Sequence, residues 1–337
     1  MKKLTVLFFL CIISFIANAT ISEMSFGKWS IKFNDETKQA EFVKEGVTVL
    51  KDVKIKFKNG DILLNASSYN SVKIKQEDIV DEVGNARKFT IEYTDGENPD
   101  NPIIYQNFYL YDGQDYFLTD VILQSQDNSI ISSNYIAPIS TEADNLFLPA
   151  DVNNRFIIVP FDNDGFITYA SYPLSCSQTD PESLAIGRVA RDSISMEVSA
   201  IFNGETQLGL VVGSVDHDTW KSAVRITGSP LAQGKISNLE CFSGVTHHIT
   251  RDMIDGVLKP HGAVKGQQVK SARMIVHYSG DWRTGLETFG DVCCAIAPKR
   301  SWNKPAPYGW SSWGGMGTEI SYDGVVSVSD FIKENIQ

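Results

Sequence analysis

From Thr20 to about Tyr278 the chain reads as short runs of alternating hydrophobic and polar residues, separated by turn-forming pairs. Val53, Ile55 and Phe57 alternate with lysines, and Asn59-Gly60 then leads into Ile62-Leu63-Leu64, a hairpin signature. Phe89, Ile91 and Tyr93 alternate up to Asp95-Gly96. Phe108 and Leu110 pass through Asp112-Gly113 into Tyr116-Phe117-Leu118 and Val121-Ile122-Leu123. Met196, Val198 and Ala200 run to Asn203-Gly204, ahead of Leu208-Gly209-Leu210-Val211-Val212, and Ala272, Met274 and Val276 alternate before Ser279-Gly280. A period of two puts every second side chain on one face, so each run predicts a strand with a buried side. Helical periodicity is nearly absent here. The fold class this predicts is mainly β, a large antiparallel β-sandwich.

The period changes after Gly280. Asp281 is placed to cap a helix with apolar positions at Trp282, Leu286, Phe289 and Cys293. Pro298, Pro305 and Pro307 then mark a linker, where a domain boundary is expected. Beyond Tyr308-Gly309-Trp310-Ser311-Ser312-Trp313 a second amphipathic helix is predicted, with Val325, Val328, Phe331, Ile332 and Ile336 along one side. No stop signal follows before Gln337, and that apolar side has nothing after it to pack on, so a longer parent protein is expected.

The first residues carry a separate message. Lys2 and Lys3 precede an almost wholly apolar run from Leu4 to Ile16, and Ala17-Asn18-Ala19 offers small residues for cleavage. The apolar run is shorter than the ~20 residues that cross a bilayer. Residues 1–19 therefore read as a signal peptide and the protein as exported, periplasmic or extracellular, with no membrane attachment after cleavage. Cleavage removes two lysines and no acid, taking the formal charge from −11 to −13. Such a surface repels nucleic acid phosphate and anionic lipid and accepts a neutral or cationic partner more easily, neutral sugars included. Of the cysteines left, Cys176 and Cys241 are a possible bridge, whereas Cys293 and Cys294 sit together in an apolar stretch and read as buried thiols. None has the spacing of a zinc site.

Candidate chemistry is sparse. Trp310 and Trp313 stand three apart with small residues between them. Flat aromatic faces beside pliant backbone suit sugar rings, whose C–H sides stack on them. The plainer account is core packing at a domain junction, since most tryptophans are largely buried. Asp162-Asn163-Asp164-Gly165 opens like a calcium loop, but the twelfth position is Pro173 instead of glutamate, which leaves a tight turn. Asp216, His217, Asp218 and Trp220 follow an apolar run; such a group either lines a pocket, with Asp beside His for acid–base work, or forms a hydrogen-bonded turn. His247-His248 with Asp252 has no metal-ligand spacing, because neighbours on a strand point to opposite faces.

Ala306-Pro307-Tyr308-Gly309-Trp310-Ser311-Ser312-Trp313-Gly314 resembles the first strand of the catalytic (β/α)8 barrel in the α-galactosidase (melibiase) group of glycoside hydrolases, which a Pro-x-Gly-Trp-x-Ser-Trp segment opens. Three further pieces are similar to bacterial members and come in the family's order. They are Val159-Pro160-Phe161-Asp162-Asn163-Asp164, Gly213-Ser214-Val215-Asp216-His217-Asp218-Thr219-Trp220, and Asp281-Trp282-Arg283 with Gly285 and Glu287. The resemblance implies an N-terminal β-supersandwich over 20–280, a linking helix and linker over 281–304, and the first strand and helix of a truncated (β/α)8 barrel over 305–337. For the complete parent it implies retaining hydrolysis of α-linked galactoside oligosaccharides or polysaccharides, with two aspartates ~5–5.5 Å apart and no metal or organic cofactor. In the family those aspartates lie on later barrel strands, and a whole barrel takes about 250 residues. No catalytic residue is therefore assigned here, and this chain alone is expected to be inactive. Trp310 and Trp313 match positions near the family's sugar pocket; Ser311 departs from the asparagine or cysteine often found there. The alternative is a non-catalytic carbohydrate-binding or structural β-sandwich protein.

Overall fold

The predicted strand pairs form, and their buried faces meet. The computed structural model describes residues 21–142, 148–159, 170–174, 192–229, 234–244, 262–305 and 309–336. Two compact units divide the chain, one over 1–298 and one over 299–337.

In the first unit, β1 (Ile21–Phe26), β2 (Trp29–Asn34), β3 (Gln39–Lys44) and the long β4 (Val47–Asn59) form a meander, and β5 (Ile62–Asn65) folds back on β4 through Asn59-Gly60. Gly60 takes the left-handed backbone (φ +60°) that such a turn requires. A second meander follows in β6 (Ser71–Val80), β7 (Asn85–Thr94), β8 (Ile103–Tyr111) and β9 (Tyr116–Gln124). Later strands extend both sheets: β10 (Ile131–Ser133), β11 (Ile136–Glu142), β12 (Asn154–Ile158), β13 (Ala170–Pro173), β14 (Asp192–Met196) and β15 (Val198–Asn203). They continue with β16 (Gly209–Ser214), β17 (Ser222–Gly228), β18 (Ile236–Ser243), β19 (Val264–Gly266), β20 (Gln268–Lys270) and β21 (Met274–Ser279).

Among the described residues one sheet runs β1-β2-β3-β4-β11-β18-β17-β14, with β5 attached to β4. The other runs β13-β12-β15-β16-β21-β9-β8-β7-β6, with β20 attached to β9. Every pairing is antiparallel, and β10 pairs with β19 apart from both sheets. Aromatic rings lock the two inner faces together. Trp29 on β2 and Phe42 on β3 meet Phe117 on β9 edge-on, at centroid distances of 4.9 and 5.0 Å. Ile31, Phe33, Val53, Ile55 and Phe57 are buried beside them while the alternating residues turn outward, as the period of two requires.

One stretch of the second sheet is buried on both faces. Helix α1 (Trp282–Ile296) starts at the expected cap, Asp281, whose side chain accepts from the Arg283 amide. It lies over β15, β16 and β21, where Trp282, Leu286 and Phe289 pack with Ala200, Phe202 and Val211. Trp282 stacks on Phe202 at 4.2 Å with 23° between the rings. Gly285 allows the close approach: a Cβ there would lie 2.7 Å from both His277 Nδ1 and Val211 Cγ2. The helix thus belongs to the sandwich unit. It also corrects the reading of the cysteines, since Cys293 is half-buried and Cys294 exposed. Adjacent helical residues point about 100° apart, and only Cys293 continues the stripe of Trp282, Leu286 and Phe289.

Among its described residues the second unit holds two α-helices, α2 (Ser312–Met316) and α3 (Tyr322–Asn335), with a 3-10 turn over Gly317–Glu319 between them; α3 is capped by Ser321 on the Gly324 amide. No strand occurs among the described residues of 299–336; residues 309–311 are irregular and Ser312 begins a helix where the resemblance implied a barrel strand. A lone strand has no neighbour to complete its backbone hydrogen bonds. Cys176, the Asp162–Gly165 turn, the His247-His248 pair and most of the Val159–Asp164 segment lie outside the described residues.

Candidate functional site

The turn leaving β16 carries Val215 to Trp220, and it forms one wall of a cleft of about 600 Å³. The opposite wall is Lys270 to Arg273, between β20 and β21, and Ile296 and Ala297 at the end of α1 close one side. The same turn lines a second cleft of about 330 Å³ with Asn134, Gly244 and Val264. The Asp216–Trp220 group is therefore both a bonded turn and a pocket lining.

Bonding across the first cleft assigns each side chain its freedom. Arg273 donates from Nε and Nη2 to the Asp216 carboxylate at 2.9–3.1 Å, and its backbone amide adds a bond of 3.0 Å. Burial works to raise the Asp216 carboxyl, but these bonds outweigh it and hold the group below the ordinary carboxylate range. Burial likewise works to lower the Arg273 guanidinium, and its bond to Asp216 overcomes that and raises it. A carboxylate so engaged is unavailable as a general base. Trp220 donates its indole N–H to the Lys270 carbonyl at 2.7 Å, which fixes the ring against the facing wall. Lys270 reaches Asp120 Oδ2 at 3.3 Å; Asp120 is fully buried on β9 and also accepts from Asn107 and Tyr109.

His217, like Asp218, is exposed on the turn. Its Nε2 stands 3.7 Å from Cys293 Sγ, and its Nδ1 stands 4.0 Å from Glu197 Oε1. The line of thiol, imidazole and carboxylate has the order of a nucleophilic triad, but not the electrostatics. Burial, then the charges of Glu197 and Asp216, push the Cys293 thiol up to about 11, so it stays protonated at neutral pH. Among the described residues no group of three or more ligating side chains is arranged for a metal ion, and no helix is long and apolar enough to cross a membrane, which says nothing of β-barrels.

Trp310 and Trp313 lie in the second unit. Their rings are 39% and 72% exposed, so neither is core within its own unit. Trp310 lies over Gly315, where a Cβ would come within 3.1 Å of its ring atoms. Arg273, Lys270, Glu197 and the approach of Cys293 to His217 were not foreseen from sequence. Asp216 and Arg273 are 57 residues apart, and the one available signal was the alternation of Ala272, Met274 and Val276, which sets Arg273 on the other face.

No protein-family profile matches the chain, and no curated protein does. Solved structures do. A glycoside hydrolase family 97 enzyme from Pseudoalteromonas sp. strain K8, in complex with acarbose, aligns over 78% of this chain and 36% of its own, with a TM-score of 0.50 and 8% identity. This is a glycoside hydrolase-like fold. The glycoside hydrolase-like sandwich also aligns with α-N-acetylgalactosaminidase NagBb from Bifidobacterium bifidum, at TM-score 0.49 and 11% identity, over 82% of this chain and 39% of that one. The GH36 α-galactosidase AgaA from Geobacillus stearothermophilus gives 0.45 and 7%, over 77% and 40%. The chain spans well under half the length of each.

Proposed function

We propose that this chain is the N-terminal, sandwich-bearing portion of an exported glycoside hydrolase of the α-galactosidase type, whose complete form cleaves α-linked galactosides with retention. The observation that carries the reading is the lopsided coverage: about four-fifths of this chain corresponds to about two-fifths of enzymes whose names state glycoside hydrolysis or bound sugar analogues. The Pro307–Trp313 segment and the signal-like residues 1–19 support it. In this reading the sandwich provides the scaffold. Trp310 and Trp313 offer stacking faces to the sugar, and the two catalytic carboxylates stand on chain beyond Gln337.

The test is an assay of both this chain and a polypeptide extended past residue 337 on a panel of α-linked aryl glycosides. The extended protein is expected to hydrolyse α-galactosides and this chain to hydrolyse none. Turnover by this chain alone would overturn the division of labour, and an extended protein that ignores galactosides would remove the substrate. Trp310→Ala in the extended enzyme is expected to raise KM about tenfold, equivalent to ~1.4 kcal/mol of lost contact.

A second reading is a sandwich that binds carbohydrate without cleaving it. The 600 Å³ cleft favours it, since it sets Trp220 beside His217 and Asp218. Calorimetric binding of galacto-oligosaccharides by this chain, lost in Trp220→Ala, is the outcome that reading requires.

A further inference from the structure

Strand β6 forms one edge of the second sheet and pairs, among the described residues, only with β7. The phase of its hydrogen bonds follows from the hairpin end, where the Asp81 amide donates to the Gly84 carbonyl at 3.0 Å. The β6–β7 register then runs without a shift from Val80↔Asn85 to Ser71↔Thr94. Residues of an antiparallel strand turn both backbone groups to alternate sides. The odd-numbered residues therefore bond β7, and Val72, Ile74, Gln76, Asp78 and Val80 direct their N–H and C=O groups to the open edge. Ile74 is 37% and Val80 79% exposed there.

An open edge of this length is a pairing template, and proteins that must stay single blunt it with charged side chains, lysine above all, or with proline. β6 has no proline, and its charges are of both signs. They are divided, with Lys73 and Lys75 in the first half and Glu77 and Asp78 in the second, so that an antiparallel second copy sets opposite signs face to face. A two-fold axis perpendicular to the sheet reverses the strand and keeps its faces, so it pairs residues of equal parity. With the axis at Gln76, Lys75 faces Glu77 of the second copy twice over, Val72 faces Val80, Ile74 faces Asp78, and Gln76 faces itself. Moving the axis to Lys75 or to Glu77 sets like charges directly opposite, which is destabilising. Lys88 on β7 already bonds Glu77 at 3.1 Å, so the centred register gives a row of alternating charge, Lys88–Glu77–Lys75, across the join. The open-edge residues form the hydrogen-bonded pairs of this register.

We infer that β6 is a self-association edge, through which two copies of this chain join antiparallel about Gln76 into one continuous sheet. Sedimentation equilibrium of the wild-type chain is expected to show a reversible monomer–dimer equilibrium. Gln76→Cys is expected to form a disulfide-linked dimer under mild oxidation at least ~10-fold faster than Ile74→Cys or Asp78→Cys, because facing residues of a hydrogen-bonded pair lie ~5.5 Å apart, within disulfide reach, while the other two are displaced along the strand. Gln76→Pro removes an outward N–H and leaves the β7 ladder intact, so it is expected to retain the fold by circular dichroism and to abolish the dimer. Lys75→Glu is expected to weaken the dimer at least ~10-fold. A wild-type chain that is monomeric at every concentration overturns the inference, as does equal cross-linking at residues 74, 76 and 78, or a dimer unaffected by a folded Gln76→Pro variant.

Discussion

Helices α1 and α3 have nearly the same length and similar local signals, yet different surroundings. Each begins at a side-chain cap, Asp281 for α1 and Ser321 for α3, and each carries an apolar stripe. α1 buries Gly285 and Val292 and packs its stripe on β15, β16 and β21. Within its own unit α3 buries no residue, and Phe331 and the C-cap Ile336 are 60% and 48% exposed. The lesson is that caps and periodicity specify a helix and its apolar side, whereas the surface opposite decides how much stability that side contributes.

The sharpest way to break this comparison is truncation on the α1 interface. Phe202→Ala removes a buried ring stacked on Trp282 and is expected to cost ~3–5 kcal/mol in chemical denaturation. A loss below ~1 kcal/mol would show that α1 docks without anchoring.

Acid tests the same interface next. Burial beneath α1 pushes the His277 imidazole down to about 4 from 6.5, only partly opposed by Asp115, and its Nδ1 has no hydrogen-bond partner among the described residues. The folded state thus binds fewer protons than the unfolded chain between these values. The contribution is full above about pH 6.5 and declines as pH falls to about 4, by up to ~3 kcal/mol. Unfolding at pH 7.5, 5.5 and 4, with the ring followed by NMR, checks it; a ring titrating near 6.5 would sink the prediction.

Smaller still is Gly285→Ala, whose new methyl meets His277 and Val211 and is expected to cost ~1–3 kcal/mol. Last comes Phe331→Ala on α3, expected to change stability by less than ~0.5 kcal/mol in this chain. A cost equal to that of Phe202→Ala would erase the distinction between the helices.

Much of the fold was legible in the sequence. Asn59-Gly60, Asp112-Gly113 and Asn203-Gly204 mark real reversals, and Val53, Ile55 and Phe57 point inward, because turn chemistry and a period of two are local properties. Legibility stopped where neighbours distant in sequence decide the outcome. β21 is buried on both faces since α1 covers it, so Ile275 and His277 are as enclosed as Met274 and Val276. At the candidate site, Asp216 and His217 were visible as a cluster, but not that Arg273 occupies the one and Cys293 approaches the other. Ion pairs of that kind depend on sheet order, which no local pattern encodes.

The bond between Arg273 and Asp216 also shapes what the cleft can select. Two opposite charges that satisfy each other present little net field to an incoming molecule, and neither needs to reorient on its arrival. Discrimination there falls to the indole face of Trp220 and to the open ends of His217 and Asp218. A neutral guest should accordingly be held with weak dependence on ionic strength.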